Sequence, residues 1–192
     1  MRSPAAEPIA AGAVVLRGFA RHQAAALVKE VEGIAAAAPF RHMVTPGGWR
    51  MSAAMTSCGQ VGWVTDKTGY RYAVADPTTG RPWPRMPERF RRLAAGAAAT
   101  GGFPGFAPDA CLINRYAPGA RLSLHRDEDE RDLTAPIVSV SLGLGPCFCS
   151  AAAGAPTGRA ASLWRTAMSL FGAARPGSLI MASPRSPAAM IR

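Results

Sequence analysis

Histidine is scarce in this chain: among 192 residues only His22, His42 and His125 carry an imidazole. A site that needs several imidazoles must draw on these three. Residues 145–192 contain no His, no Asp and no Glu, so that stretch offers neither the usual metal ligands nor the usual general acids and bases. The cysteines Cys58, Cys111, Cys147 and Cys149 form no C-x-x-C pair. That excludes a zinc ribbon or a dense disulfide framework and leads us to expect a reducing, cytoplasmic setting. No apolar run is long enough to span a bilayer. Nothing behind Met1-Arg2-Ser3-Pro4 has the apolar core of a signal peptide, so no membrane partner is expected. Acids are also few, 12 against 22 Lys and Arg, for a net charge of +10 and a pI near 10.7. This imbalance suits an anionic partner, nucleic acid first. An Arg-rich composition alone gives the same number, and charge does not decide between the two.

The length predicts one domain, or one domain with a tail, and a 48% hydrophobic content suffices for an ordinary core. Ala13-Val14-Val15-Leu16 reads as a short buried strand. Leu27, Val28, Val31, Ile34 and Ala35 recur at helical spacing and predict a helix from about Gln23 to Ala38, stopped by Pro39. His22, at its start, reads as a solvated or capping residue. Residues 43–72 change texture. Thr45-Pro46-Gly47-Gly48 is a turn, and Trp49, Met51, Met55, Trp63, Tyr70 and Tyr72 are interleaved with Ser, Thr and Gly. These predict short strands or a lid. The rings suit stacking on a flat base, or they form the small core of a subdomain. A loop follows at 75–84, then a helix at Glu88–Thr100 whose Arg89, Arg91 and Arg92 read as a solvated face. Strands are predicted at Asp109–Tyr116, Arg121–His125 and Pro136–Leu144. Helices first and antiparallel strands after make an α+β chain with a β-sandwich or jelly-roll core.

The stretch from Asn114 to Glu130 carries the chemistry. Leu122 and Leu124 alternate with Ser123 and His125, and the strand runs into His125-Arg126-Asp127. Two residues apart in extended chain, His125 and Asp127 point to one side. One imidazole and one carboxylate on one face are two of the three ligands of the facial triad of non-haem Fe(II) oxygenases. The third, another His, must come from elsewhere. A calcium loop at Asp127–Glu130 is a poor alternative, because the run lacks the EF-hand spacing and its central Gly.

Residues from about Ile9 to Leu144 resemble the AlkB family of Fe(II)- and 2-oxoglutarate-dependent DNA dealkylating dioxygenases, in its bacterial form. The resemblance is carried by Met43-Val44-Thr45-Pro46-Gly47-Gly48, Met51-Ser52, Ala54-Met55-Thr56, Gly62-Trp63, Asp109 to Ala120, His125-x-Asp127 and Pro136 to Leu144. It implies a double-stranded β-helix, the jelly roll beginning at about 109–144, under a nucleotide-recognition lid at about 43–72. It implies His125 and Asp127 as iron ligands and Asn114 and Tyr116 as 2-oxoglutarate ligands. Trp63, Tyr70 and Tyr72 would line the base pocket, with Asp129 near the base edge. Thr45, Met51, Met55 and Arg121 are further candidates for pocket or backbone contacts. The implied cofactors are Fe(II), 2-oxoglutarate and O₂. The implied reaction is oxidative demethylation of bases of the 1-methyladenine and 3-methylcytosine type in single- or double-stranded DNA, or in RNA. A methyl group on the Watson–Crick edge is hidden in a duplex, so the base must be flipped. Nothing in the sequence demands more than a monomer.

The resemblance stops at about residue 144. The domain boundary is expected there, with 145–192 an Ala/Pro/Gly/Arg-rich tail that lacks the remaining jelly-roll strands. A weak helix at Leu163–Phe171 is the only element expected in it. The family's distal His and 2-oxoglutarate Arg have no counterpart in that tail. Codons can be re-read by joining each third base to the next two. Across Arg165 to Gly172, permitted codons then give His-Gly-Asp-Val-Val-Val-Trp. Further on, a His falls at the Ile180/Met181 junction. The tail therefore reads as the family's second half in the wrong frame, with the switch near Gly145–Pro146. On this reading the chain lacks a complete iron site and turns over poorly or not at all. The alternative is a non-catalytic, basic nucleic-acid-binding module.

Overall fold

The computed structural model describes residues 6–10, 13–118, 120 and 134–142, together with the backbone of two strands at 171–172 and 178–183. The chain opens on an antiparallel hairpin of β1 (Ala6–Ala10) and β2 (Ala13–Leu16). Strand β1 is not among the predicted elements, and it contains Pro8, which cannot donate to a ladder. It is tolerated here beside an irregularity in the register at Pro8/Ala10, where a missing N–H costs little. Arg17 closes the hairpin with an exposed ion pair to Glu7, Nε to Oε2 at 2.7 Å.

Two helices follow the predicted periodicity. Helix α1 (Ala24–Ala37) buries Ala24, Leu27, Val31 and Ile34, and the backbone turns extended at Ala38, before Pro39. Helix α2 (Glu88–Thr100) buries Phe90, Leu93, Ala94, Ala97 and Ala98. Arg91 and Arg92 face outward as expected, with Arg91 on Glu88, whereas Arg89 is half-buried and pairs with Glu30 of α1.

The centre is a five-stranded sheet in the order β3-β6-β9-β7-β8. Its members are β3 (Ala54–Gly59), β6 (Ala110–Arg115), β7 (Val138–Leu142), β8 (Phe171–Gly172) and β9 (Ser178–Ser183). A separate two-stranded ribbon joins β4 (Gly62–Asp66) to β5 (Gly69–Ala73). Pairing is antiparallel except between β7 and β8. Alternation gives the sheet two unlike faces. Cys58, Cys111, Ile113, Val138, Val140 and Leu142 pack on α1 and α2 in the main core. Burial of each Leu, Ile or Phe side chain there contributes about 1.5–3 kcal/mol. Thr56, on the same face, donates its hydroxyl to the Ala38 carbonyl oxygen at 2.7 Å and fixes the end of α1. Met55, Ser57, Leu112, Asn114, Ser139 and Ser141 occupy the other face.

One glycine is obligatory where β3 ends. Gly59 has φ +127, and a Cβ there would lie 2.2 Å from the Asp109 carbonyl oxygen. No side chain fits that approach to backbone.

The expectation that the tail holds no strand is corrected. Ser178–Ser183 runs as β9 between β6 and β7, with Ile113 opposite Ile180 and Val140 opposite Ile180 from the other side. Leu179-Ile180-Met181-Ala182 is a short apolar run of the kind a doubly paired strand uses. The surrounding Ala/Pro/Gly/Ser composition carries no periodicity that would mark it in the sequence. Phe171 likewise stands in β8 rather than in a helix. The strand predicted at Arg121–His125 lies outside the described residues. Among the described residues, no helix is long and apolar enough to cross a membrane.

Candidate active site and nucleic-acid interface

The face of the sheet turned away from α1 and α2 and the β4–β5 ribbon form one neighbourhood. Met55 and Val64 are buried in a second core with Ala38, Met43, Ala53 and Trp83, and Met51, Trp63, Leu112 and Tyr116 pack against it. The subdomain-core reading of the Met and aromatic residues thus holds for Met55, which is 1% exposed. Trp63, Tyr70 and Tyr72 stand on one face of the ribbon. Trp63 is opposite Tyr72, and Tyr70 is two residues before it. The rings of Trp63 and Tyr70 stack, with centroids 5.7 Å apart and planes 25° from parallel. Tyr70 is exposed, while Trp63 and Tyr72 are half-buried. This is a partly wet aromatic platform, suited to a flat ring.

The tip of the ribbon is held by charge. Arg71 Nη2 meets Asp66 Oδ2 at 2.6 Å, and the Thr68 backbone N–H donates to Asp66 Oδ1 at 2.8 Å. The Arg71 guanidinium and the Thr68 bonds hold the Asp66 carboxyl well below the usual carboxylate range. Beside the ribbon, Thr65 donates to the Val44 carbonyl oxygen at 3.2 Å. Val44 bridges antiparallel to Arg50 across the turn at 45–49. The Gly48 N–H donates to the Thr45 carbonyl oxygen there, and the Thr45 hydroxyl accepts from the Trp49 N–H at 3.1 Å. The Trp49 indole is 79% exposed at its tip.

On β6, Asn114 is fully buried, and Tyr116, two residues on, packs at the second core. Burial pushes the Tyr116 phenol above its ordinary value, because the phenolate loses more hydration than the phenol. Tyr116 therefore stays a hydrogen-bond donor through the neutral range. The unfolded chain releases that proton from about pH 10, and the native state holds it longer. The Tyr116 contribution to stability is present below about pH 10 and is lost as pH rises through the native value. Titration of the phenolate absorbance should show a late component that is lost in Tyr116→Phe. A Tyr116→Phe curve identical to the wild type would contradict this.

His125, Asp127, Asp129 and Arg121 lie outside the described residues. Among the described residues, no group of three His, Cys, Asp or Glu side chains could hold a metal. His22 is exposed in the 3-10 turn Arg21–Gln23 before α1. His42 is exposed, and its Nδ1 lies 2.8 Å from the Met51 carbonyl oxygen. The Asn114 amide and the Tyr116 phenol are donors matched to a carboxylate or keto oxygen, so they fit 2-oxoglutarate. His125 and Asp127, the iron ligands that the resemblance implies, are one imidazole short of a facial triad.

The sequence reading missed Trp83, Arg41 and Asp76. Trp83 is 5% exposed although it sits in a Pro-flanked loop. A large aromatic between two prolines, Pro82-Trp83-Pro84, was the available signal, since loops seldom bury a Trp without reason.

The 2OG-Fe(II) oxygenase superfamily matches residues 12–173. The chain belongs to that superfamily, a class of oxidoreductases that use Fe(II), 2-oxoglutarate and O₂ on a jelly-roll fold. Within it the chain belongs to the AlkB family. It is 59% identical over 145 residues to the alpha-ketoglutarate-dependent dioxygenase AlkB of Escherichia coli, covering 76% of this chain and 67% of that protein. It is 53% identical over 36 residues to the tRNA demethylase abh1 of Schizosaccharomyces pombe, 19% of this chain and 12% of that one. The solved structure of OsALKBH1 superimposes with a TM-score of 0.62 at 26% identity, covering 72% of this chain and 69% of that one.

Proposed function

We propose that the activity of this chain is oxidative demethylation of N-alkylated bases, of the 1-methyladenine and 3-methylcytosine type, in DNA or RNA. The observation that carries the reading is the aromatic ribbon of Trp63, Tyr70 and Tyr72 next to the sheet face that bears Asn114 and Tyr116. The ribbon and the turn at 45–49 act as the nucleotide-recognition lid. A flipped base stacks on the ribbon, with Thr45, Met51 and Arg121 toward the nucleic-acid backbone and Asp129 at the base edge. Met55 supports the platform from the second core. The +10 charge attracts the phosphates. Asn114 and Tyr116 bind and orient 2-oxoglutarate, and their burial excludes water from it. His125 and Asp127 supply two iron ligands. When bound, Fe(II) with 2-oxoglutarate and O₂ supplies the oxidation of the methyl carbon.

A second reading, a non-catalytic nucleic-acid-binding module, is favoured by one observation. The remaining imidazoles, His22 and His42, are exposed on other segments and not on the sheet. The wrong-frame reading of the tail accounts for this. Strand β9 lies between β6 and β7, so a His encoded at the Ile180/Met181 junction would enter the sheet that carries Asn114. The test is to sequence the coding DNA from the Val138 codon onward. A single inserted or deleted base near Gly145–Pro146 is expected. An open reading frame with no such alternative contradicts the frame account and moves the binding module to the front.

A further inference from the structure

The aromatic ribbon is a sheet of its own, joined to β3 by the two residues Gln60 and Val61. Something must set its position over the site, and Trp83 occupies the place where that is done. The stem pair of the ribbon is Gly62 opposite Ala73. Trp83 touches both. Its Nε1–H donates to the Ala73 carbonyl oxygen at 2.9 Å. Its ring lies so close to Gly62 that a Cβ there would sit 2.3 Å from Cε2 and 2.7 Å from Nε1.

The indole is held from behind as well. The Pro84 carbonyl oxygen accepts from the Gly59 N–H at 2.9 Å, which ties the residue after Trp83 to the end of β3. The Arg41 guanidinium lies 5.4 Å from the ring centroid. Arg41 pairs with Met55 of β3 through two backbone bonds of 3.0 and 2.7 Å, and its Nη1 reaches Asp76 at 2.8 Å. Met55 stands opposite Asn114. A continuous set of contacts thus runs from Asn114 through Met55, Arg41 and Trp83 to the stem of the strands that bear Trp63 and Tyr72.

The geometry points to Trp83 as a positioning residue: it clamps the stem of the β4–β5 ribbon against β3 and so fixes the spacing between the base-stacking rings and the sheet. It touches neither base nor 2-oxoglutarate. Its effect is on discrimination, because a methylated base is told from an ordinary one only if the platform holds still. Affinity for the phosphate backbone comes from charge elsewhere and does not pass through the clamp. This role rests on the base-recognition reading above.

Two variants of the full chain break the clamp from opposite sides. Trp83→Phe keeps a ring but removes the bond to Ala73. Gly62→Ala pushes the stem off a rigid indole. Hydrogen exchange across 62–73 reads the clamp, with 110–115 as an internal control for global stability. Fluorescence anisotropy with a single-stranded oligonucleotide carrying one 1-methyladenine, and with its unmethylated twin, reads discrimination. In both variants exchange across 62–73 should rise about five- to tenfold, the scale of one neutral hydrogen bond, while 110–115 stays unchanged. Preference for the methylated strand should fall by about the same factor, with affinity for the unmethylated strand unchanged. The clamp is overturned if ribbon exchange does not rise in either variant, or rises only in step with 110–115. The specificity role is overturned if the ribbon loosens and preference does not change. A wild-type chain with no preference overturns the base-recognition reading and the specificity role together, and the exchange comparison then decides the clamp by itself.

Discussion

Asp76→Ala should cost about 3–5 kcal/mol of stability, the loss expected when one partner of a buried ion pair is removed. Asp76 is 2% exposed, and its Oδ1 meets Arg41 Nη1 at 2.8 Å while accepting the Thr78 N–H at 2.9 Å. Its own N–H donates to the Arg81 carbonyl oxygen, and its carbonyl oxygen accepts from the Gly80 N–H. The carboxylate therefore organises the loop that delivers Trp83. Removing it leaves the Arg41 guanidinium against the indole ring with its charge uncompensated. Asp76→Asn should cost less, because an amide oxygen still accepts from Thr78. Replacing both Arg41 and Asp76 with apolar residues should cost less than the sum of the single changes, because desolvation of the pair offsets much of its attraction. Urea unfolding of the full chain checks each value. A loss below about 1 kcal/mol in Asp76→Ala, the range of exposed pairs, would show that water screens the pair.

Trp63→Ala should weaken binding of an oligonucleotide containing 1-methyladenine by about 1–3 kcal/mol, or roughly five- to 150-fold in Kd. Trp63 is a half-buried member of the platform, stacked on Tyr70 and packed against the second core. Its face offers a base the area that Tyr70 alone lacks. Trp63→Phe keeps a flat ring and should lose less than half as much. The unmethylated strand, held by charge, should change little, and its affinity should fall steeply with salt in wild type and variant alike. Equal Kd values for wild type and Trp63→Ala on the methylated strand would remove the ribbon from base recognition.

The two helices were legible because their apolar residues recur at 3.6-residue spacing and each ends at Pro or Gly, as at Pro39 and Gly101. Strand β7 was legible because Val138, Val140 and Leu142 alternate with Ser139 and Ser141, and the sheet puts those two sets on opposite faces. Strand β9 was not legible. Its pairing with β6 on one side and β7 on the other defines it, and strand propensity depends on neighbours a single sequence does not show. The clamp was hidden for the same reason. Trp83 meets Gly62, Ala73 and Arg41 only after the chain has folded back across separations of 10 to 42 residues in sequence. Of the candidate site, Trp63, Tyr70, Tyr72, Asn114 and Tyr116 fall on neighbouring elements, as the motif order implies. His125, Asp127, Asp129 and Arg121 lie outside the described residues, and their roles stand on the resemblance.

The iron set decides what the chain does with a base once it is held. In the proposed reading, His125 and Asp127 without a second imidazole would bind Fe(II) weakly, and 2-oxoglutarate without an arginine partner would leave a carboxylate unpaired. The most direct measurement is succinate release by the full chain given Fe(II), 2-oxoglutarate and a 1-methyladenine oligonucleotide, beside the same gene with its frame corrected near Gly145. This chain is expected to give background release and to bind the methylated strand preferentially, with turnover only from the corrected gene. Sustained, substrate-dependent succinate release from this chain itself would contradict it.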